Sequence, residues 1–188
     1  MTDNLFRNKF LIPSTRLAGY DYSQTGYYFI TICTKNKFCY FGEIVGDEIV
    51  LNDIGKMATK YWLEIPKHFP FVTLDEFVIM PNHVHGIIII NNNPPIVETQ
   101  NFASLHDNDK LYHNKFGPQS KNLSSIIRGF KIGVSKWATT NNVSFIWQAR
   151  FYDHIIRDEI SLHNIQQYIF NNPSMWDRDR NNPEGLLV

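Results

Sequence analysis

The sequence predicts an α+β fold, a ferredoxin-like antiparallel sheet with helices on one face and one further helix near the C-terminal end. Short β-rich runs alternate with segments of helical periodicity, and two of the runs are separated only by a tight break, as in a hairpin. Hydrophobic residues make up 43% of the 188 residues, which is enough to fill a sizeable core. Along the chain the predicted order is strand, hairpin, helix, strand, strand, helix, strand, helix.

The strands of the sheet are predicted at Tyr27–Thr34, Val72–Met80, His83–Ile90 and Tyr152–Arg157. The first is apolar on both faces, which is typical of a buried central strand. Pro81-Asn82 separates the second from the third and indicates a hairpin. Two shorter β-like runs within Cys39–Leu51, on either side of Gly46, indicate a smaller hairpin.

Three helices are predicted from capping residues and periodicity. The first runs from a cap at Asn52 or Asp53 to about residue 67. Its apolar side is predicted to consist of Ile54, Met57, Tyr61 and Ile65. The second is Leu123–Ala138. Ser161 can cap the third, which runs to about residue 171 and ends before Pro173.

The chain is predicted to form a single domain over residues 27–173, with an N-terminal arm at 1–26 and a C-terminal tail at 174–188. Within the domain, the 28 residues 91–118 are polar and lack periodicity. Such a composition cannot bury much apolar area, so this segment is predicted to be a flexible insertion with weak order.

Composition excludes several classes of protein. Lys+Arg and Asp+Glu both number 18, so overall charge gives no sign of a nucleic-acid partner, and any such function must rest on local charge. No apolar run reaches the ~18 residues that a membrane span needs, so no membrane association is expected. With two cysteines and no signal peptide, the sequence predicts a cytoplasmic protein with reduced thiols.

The first candidate site is the pair His83 and His85 at the start of a predicted strand. Residues i and i+2 of a strand face the same way, so both imidazoles project together while Val84 faces the opposite side. Two adjacent imidazoles on a rigid strand are half of a metal site, and they also suit phosphate binding. The alternative is that one histidine packs in the core and the other is solvated.

The second candidate is Tyr168 with Asn172, on the last predicted helix. Residues four apart share a helical face, which brings the phenol beside an amide oxygen that can bind a hard cation. Leu162, Ile165 and Ile169 form a different stripe that is predicted to pack on the sheet. The alternative is an amphipathic helix whose tyrosine lies at the edge of the core.

The third candidate is a local excess of positive charge. Residues 119–157 carry six basic residues against Asp153 alone, a net charge of +5 in a neutral protein. The six are Lys121, Arg128, Lys131, Lys136, Arg150 and Arg157, and the aromatic residues interleaved with them include Phe130, Trp137, Trp147, Phe151 and Tyr152. Cations interleaved with aromatic rings are typical of surfaces that bind single-stranded nucleic acid. A solvated helix face is the alternative interpretation.

Five sequence blocks together resemble the REP-associated tyrosine transposases, which belong to the insertion-sequence-200-like, single-tyrosine HUH transposases of bacteria. The blocks are RLAGYDYSQTGYYFITICT, FVIMPNHVHGIIII, IIRGFK, WQARFYDHIIRDE and YIFNNPSMWDRDRNNP. They follow one another in family order over most of the chain. The resemblance implies an HUH-type ferredoxin-like fold with the His-hydrophobe-His strand at the sheet centre.

The same resemblance implies the roles of four residues. His83 and His85 match the HUH pair, Tyr168 matches the nucleophile, and Asn172 matches the position of the third, amide metal ligand. Tyr152 is a second tyrosine near the C-terminal end, but it lies on a predicted strand without an amide four residues later. Tyr168 is therefore the predicted nucleophile.

The implied activity is metal-dependent cleavage and transfer of single-stranded DNA through a 5′-phosphotyrosyl intermediate. The implied cofactor is a divalent metal, Mg²⁺ or Mn²⁺, and the implied partner is single-stranded DNA with hairpin structure, such as a REP-type repeat, in a bacterial cytoplasm. Two alternatives stay open: a phosphodiesterase that uses metal-bound water, and a catalytically inactive, domesticated DNA-binding protein. Monomer and homodimer are both open, because some members of the superfamily swap the tyrosine helix between subunits.

Overall fold

The structure is a computed structural model that describes residues 5–6, 9–10, 16–17, 19–92 and 121–183. Apart from Asn91 and Asn92, the predicted insertion 91–118 lies outside the described residues. Parts of the predicted arm and the last five residues of the predicted tail lie outside them as well.

The described elements follow the predicted order. The strands are β1 (Leu5–Phe6), β2 (Lys9–Phe10), β3 (Gly26–Cys33), β4 (Gly42–Val45), β5 (Glu48–Leu51), β6 (Val72–Ile79), β7 (His83–Ile90) and β8 (Tyr152–Ile156). The helices are α1 (Asp53–Leu63), α2 (Ile65–His68), α3 (Leu123–Thr140) and α4 (Glu159–Asn171), with 3-10 helices at Lys35–Lys37 and Pro173–Arg178. None of these described helices combines the length and apolarity that crossing a membrane requires.

Four strands form one antiparallel sheet in the order β6, β7, β3, β8. The two central strands pair over their whole length, from Cys33 opposite His83 to Gly26 opposite Ile90. The histidine strand therefore lies at the sheet centre, and the predicted ferredoxin-like α+β fold is confirmed. The predicted small hairpin is β4–β5, which forms a separate two-stranded sheet, as does β1–β2.

Helices cover both faces of the central sheet. α1 and α3 pack on the first face, and buried residues there include Tyr28, Ile30, Val84, Ile88, Trp62, Ile126 and Phe130. α4 covers the second face, where Phe29, Ile87, Ile156 and Ile169 form a smaller core. Because strand residues alternate between faces, the histidines lie on the same side as Ile87, under α4.

The helices differ from the sequence prediction in three details. The first predicted helix, which was expected to run to about residue 67, is divided into α1 and the short α2. The buried side of α1 is centred on Ala58 and Trp62, whereas Met57 and Tyr61 are only half-buried, because the helix is rotated to place the large indole on the sheet. α4 begins before Ser161, because Oδ1 of Asp158 accepts a hydrogen bond from the Ser161 N–H at 2.7 Å and is the actual cap.

Gly86 of β7 is required by the packing of Trp62. A Cβ atom at this position would lie 2.4 Å from Cζ2 of the Trp62 ring, far inside van der Waals contact. The indole is fully buried and stacks on Phe77 and edge-on against Phe130, so it has no room to move away.

We expect Gly86→Ala to lower the free energy of unfolding by roughly 1–3 kcal/mol through overpacking. Gly129→Ala on α3 is the control, because its Cβ would meet Phe69 at an ordinary 3.5 Å. That variant should gain up to about 1 kcal/mol from helix propensity. Urea denaturation measures both, and equal stabilities for the two variants would contradict this account of Trp62.

Candidate active site

The histidine pair is buried at the start of β7, on the α4 side of the sheet. The side chains of His83 and His85 are 0% and 1% exposed, and their ring centroids are 4.4 Å apart. Strand alternation brings them together, as the sequence predicts. The interpretation in which one of them is solvated is wrong.

A single amide fixes the tautomer of His83. Asn82 donates both hydrogens of its Nδ2, to the backbone carbonyls of Lys37 at 3.0 Å and Asn181 at 2.7 Å. Its Oδ1, 2.8 Å from Nδ1 of His83, must therefore accept, so Nδ1 carries the ring hydrogen. The Nε2 lone pair of His83 is left buried and without a hydrogen-bond partner among the described residues.

His85 lies between two hydroxyl groups. Its Nδ1 is 2.9 Å from Oγ1 of Thr31, and its Nε2 is 3.1 Å from the hydroxyl of Tyr168. A neutral imidazole has one N–H and one lone pair, so His85 donates to one of these hydroxyls and accepts from the other; in the tautomer with the proton on Nδ1, the Nε2 lone pair accepts from Tyr168. The phenol of Tyr168 thus reaches the histidine pair of its own chain.

Both histidines are neutral at physiological pH. Burial lowers the pKa of His83 to about 3, and the Asn172 side chain opposes part of that shift. Burial, followed by the neighbouring His83, lowers the pKa of His85 well below its usual value. Neutral imidazoles present lone pairs, which is the form that binds metal ions.

Asp179 joins the site from the segment after α4. It is 7% exposed, and its Oδ2 lies 3.9 Å from Nε2 of His83. The same oxygen accepts a hydrogen bond from Nδ2 of Asn172 at 3.1 Å, and Oδ1 accepts one from the Asn181 N–H at 2.6 Å. The Oδ1 atom of Asn172 is consequently turned away from Asp179 and is buried without a hydrogen-bond partner among the described residues.

This cluster fits a divalent cation. Single ligand atoms of His83, His85 and Asp179 all lie within 4.8 Å of one another, close to the separations of ligands around one small ion. A neutral imidazole lone pair faces a carboxylate oxygen across 3.9 Å with no hydrogen between them, an arrangement that a cation would stabilise. Counting the buried Oδ1 of Asn172, the cluster offers two nitrogen and two oxygen donors to such an ion.

Tyr168 lies where the buried site opens to solvent. Its side chain is 44% exposed, and burial is the main cause that raises the pKa of its phenol, so the hydroxyl is protonated at neutral pH. The ring packs edge-on against Phe29, with centroids 6.1 Å apart. α4 is held in place by Gln166, whose amide donates to both carboxylate oxygens of Asp75 on β6, at 2.9 and 3.1 Å.

Four of the six predicted DNA-binding cations line one groove of about 620 Å³ beside α3. They are Arg128, Lys131, Lys136 and Arg150. Lys121 and Arg157 are exposed but do not line it. The backbone N–H of Gln148 donates to the Cys33 carbonyl at 2.9 Å, and Cys33 lies opposite His83 in the sheet. The loop that contains Gln148 and Arg150 therefore adjoins the end of the sheet that carries the histidines.

Lys131 and Phe130, both predicted to contact DNA, have structural roles instead. The Lys131 ammonium donates to the carbonyls of Gln148 at 2.7 Å and Arg150 at 3.0 Å, and burial lowers its pKa. Phe130 is 3% exposed and belongs to the core, so it cannot stack on a nucleic-acid base. Of the five predicted aromatic residues, Tyr152 alone is exposed, with 47% of its surface accessible.

Sequence reasoning missed Asp179, Asn82 and Thr31. Asp179 lies in an irregular segment with no periodicity, and the only available signal was an acidic residue between two arginines. Asn82 was interpreted as a hairpin break, although its position next to His83 could have indicated a supporting hydrogen bond. Arg180, exposed beside Asp179, was also missed; its guanidinium lies 5.9 Å from the Tyr152 ring centroid.

Comparison with known proteins identifies relatives of this chain. A Haemophilus influenzae protein named "Uncharacterized protein" is 45% identical over 168 residues, covering 89% of this chain and 91% of that protein. The chain belongs to the same family as that protein. Another protein of that organism, named "Putative REP-associated tyrosine transposase", is 25% identical over 157 residues, covering 81% of this chain and 73% of that protein.

A solved structure shares the fold. It is a REP-associated tyrosine transposase bound to a REP hairpin, with a TM-score of 0.54 and 19% identity. The match covers 86% of this chain and 73% of that one. No protein-family model matches this sequence.

Proposed function

We propose that this protein is a metal-dependent endonuclease and strand transferase of single-stranded DNA, with Tyr168 as its nucleophile. The observation that carries the proposal is the Tyr168 hydroxyl 3.1 Å from Nε2 of His85, beside a buried cluster fit to hold a cation. The similarity to a protein named as a REP-associated tyrosine transposase supports a transposase-like activity. The hairpin bound by the solved relative supports hairpin-flanked or REP-type DNA as substrate.

His83 and His85, with oxygen atoms from Asp179 and Asn172, would hold the cation. When bound, a divalent cation polarises a non-bridging oxygen of a phosphodiester and stabilises the charge that develops on it. Asn82 and Thr31 orient the two imidazole rings, a role that outer residues commonly have at metal sites. Asp179 adds one negative charge to an otherwise neutral ligand set.

Tyr168 supplies the covalent chemistry. Its hydroxyl oxygen forms a bond to phosphorus as the bond between phosphorus and the 3′ oxygen breaks, and the tyrosine loses its proton while the leaving oxygen becomes a 3′-hydroxyl. The product is a 5′-phosphotyrosyl link that a 3′-hydroxyl can later attack to rejoin strands. The partial exposure of the ring gives a phosphate access to the hydroxyl, while the ligands behind it stay buried.

The groove beside α3 is the proposed site for the DNA backbone. Arg128, Lys136 and Arg150 bring positive charge to a surface that adjoins the histidine end of the sheet. Lys131 contributes mainly by holding the loop, because its ammonium is bonded to two carbonyls. Lys121 and Arg157 stay candidates for DNA contacts outside the groove.

The two alternative functions predict different products. A phosphodiesterase that uses metal-bound water would cleave DNA without a covalent adduct, and a catalytically inactive DNA-binding protein would bind without cleaving. Neither alternative function gives the Tyr168 hydroxyl, or its hydrogen bond to His85, a chemical role. Detection of the adduct therefore separates all three.

Tyr168→Phe should abolish the covalent adduct, by at least a thousandfold, because only the nucleophilic oxygen is removed. Folding and DNA binding should persist, since the ring keeps its packing on Phe29. The measurement is incubation of labelled single-stranded hairpins with Mn²⁺, followed by a denaturing protein gel.

Tyr152→Phe is the matched control and should keep the adduct. An adduct that survives in the Tyr168 variant and disappears in the Tyr152 variant would move the nucleophile to β8. Cleaved DNA without any adduct in the unmodified protein would favour the water-dependent phosphodiesterase.

His83→Ala should weaken Mn²⁺ binding by about tenfold or more, because one nitrogen ligand is lost. Asp179→Asn should also weaken it, since the charge is removed while an amide oxygen can still accept from Asn181. Electron paramagnetic resonance of free Mn²⁺ measures the affinity. Asp177→Asn, at an exposed acid in the 3-10 helix that precedes Asp179, is the control and should change nothing. Undiminished Mn²⁺ affinity in the His83 variant would exclude this metal site.

Arg128→Gln combined with Lys136→Gln should flatten the salt dependence of DNA binding. Each contacted phosphate contributes about 0.7 to the slope of log affinity against log salt for single strands, so the slope should fall by roughly 1.4. Lys56→Gln with Lys60→Gln, two exposed lysines of α1, is the control. Equal slopes for the two double variants would assign DNA binding to another surface.

A further inference from the structure

A second concave site lies on the α4 face, between β8 and the first turns of α4. It has a volume of about 470 Å³, and its walls include Phe29, Tyr152 and His154 from the strands and Asp158, Asn164 and Ile165 from the start of α4 and its cap. We name it the β8–α4 pocket. Neither the metal ligands nor the groove beside α3 belong to it.

The β8–α4 pocket adjoins the proposed nucleophile. Asn164 and Ile165 precede Tyr168 by one helical turn and therefore lie next to it on the helix surface. The Phe29 ring touches both sites, with its centroid 6.1 Å from that of Tyr168 and 6.5 Å from that of Tyr152. A nucleotide joined to a phosphate at Tyr168 is within reach of this pocket.

The lining of the pocket favours an uncharged flat group over a phosphate. The exposed ring of Tyr152 and the exposed imidazole of His154 form its strand side, with the buried Phe29 beneath them, and stacking on such rings holds nucleobases of any sequence. Its lining contains no lysine or arginine among the described residues, although the Arg180 guanidinium lies 5.9 Å from the Tyr152 ring centroid, and it includes the carboxylate of Asp158. The groove beside α3 has the opposite character, with four cations, and suits the backbone instead.

The polar rim adds a preference among bases. Oδ1 of Asp158 accepts the Ser161 N–H, which fixes the carboxylate at the end of the pocket as an acceptor. A carboxylate accepts from the exocyclic amino group of cytosine or adenine, whereas thymine offers no such donor. Asn164 can both donate and accept at the same rim.

We propose that the β8–α4 pocket binds a nucleobase adjoining the phosphate that Tyr168 attacks, and that it prefers a base with an exocyclic amino group. This inference rests on the proposed function for the position of the phosphate. Tyr152 is then a base-stacking residue and Asp158 a specificity-determining one.

The test uses the full chain and mononucleotides, so no recognition sequence is needed. We expect dCMP and dAMP to give saturable NMR shifts of the Ile160 and Ile165 methyl groups, both of which line the pocket, at millimolar concentration. The affinity for dTMP should be lower by about fivefold or more, because fivefold corresponds to the smallest discrimination expected from one good hydrogen-bonded contact to a base. Inorganic phosphate is the control probe and should leave these methyl groups unshifted.

Variants separate stacking from selectivity. Tyr152→Leu should abolish the shifts, whereas Tyr152→Phe should keep them because the ring remains. Asp158→Asn keeps a good helix cap, so the fold is preserved, and it should bring the ratio of dCMP to dTMP affinity close to one. Phe170→Leu, an exposed aromatic residue of α4 outside the pocket, should change nothing.

Two results would overturn the proposal: no methyl shift with any nucleotide, or equal shifts for all nucleotides and for phosphate that survive Tyr152→Leu. The gel assay for the adduct judges the proposed function separately. An adduct without nucleotide shifts would reject the pocket and keep the nucleophile. Nucleotide shifts without an adduct would keep the pocket as a base-binding site and reject the chemistry.

Discussion

The strict alternation of β7 between two faces is the constraint on which the rest of the structure depends. Val84 and Ile88 face α1 and α3, where Gly86 leaves the space that Trp62 fills. His83 and His85 face α4 on the other side. The strand is central and is paired on both edges, so its register is fixed. A slip by one residue would turn every side chain of β7 to the opposite face, which would bury the histidines under α1 and α3. Apolar packing on one face therefore fixes the position of polar groups on the other.

Burial of so many polar groups would be costly without their mutual hydrogen bonds. The amide of Asn82 shows how this cost is met, because it joins the His83 ring to the carbonyls of two distant segments, at Lys37 and Asn181. The segment that carries Asp179 is thereby attached to the same amide that sets the histidine tautomer. Five buried side-chain atoms have no hydrogen-bond partner among the described residues, and two of them, Nε2 of His83 and Oδ1 of Asn172, belong to the proposed ligand set; the others are on Trp62, Asp153 and Asn181.

Regular periodicity explains which parts could be predicted from the sequence. The pairing of His83 with His85 follows from a period of two, and the approach of Tyr168 to Asn172 follows from the helical repeat. Asp179 could not be predicted, because a 3-10 helix and an irregular turn bring it to the site. Composition marked Lys131 as a DNA contact, but it cannot show that an ammonium folds back onto carbonyls of its own loop.

The core was predicted less well at the level of single side chains. The pattern of α1 placed Met57 and Tyr61 inside, whereas the structure buries Trp62 and Ala58, since shape decides which of two adjacent apolar stripes faces the sheet. Phe130 was counted among the rings that could stack on DNA because it lies between basic residues in the sequence, whereas the structure buries it in the core. Periodicity gives the face of a helix to within a residue or so, and that margin is enough to exchange a core ring for a surface one.

The hydrogen bond from Tyr168 and the binding of a metal ion would compete for the same nitrogen of His85. The hydroxyl occupies the only lone pair of His85 that faces the cluster when Nδ1 holds the proton. A metal ion that binds this lone pair must displace the Tyr168 hydroxyl. By linkage, the hydrogen bond from Tyr168 lowers the affinity of the site for the ion. An ion bound at Nε2 of His85 would therefore free the Tyr168 hydroxyl, which would otherwise stay restrained by its hydrogen bond to that nitrogen.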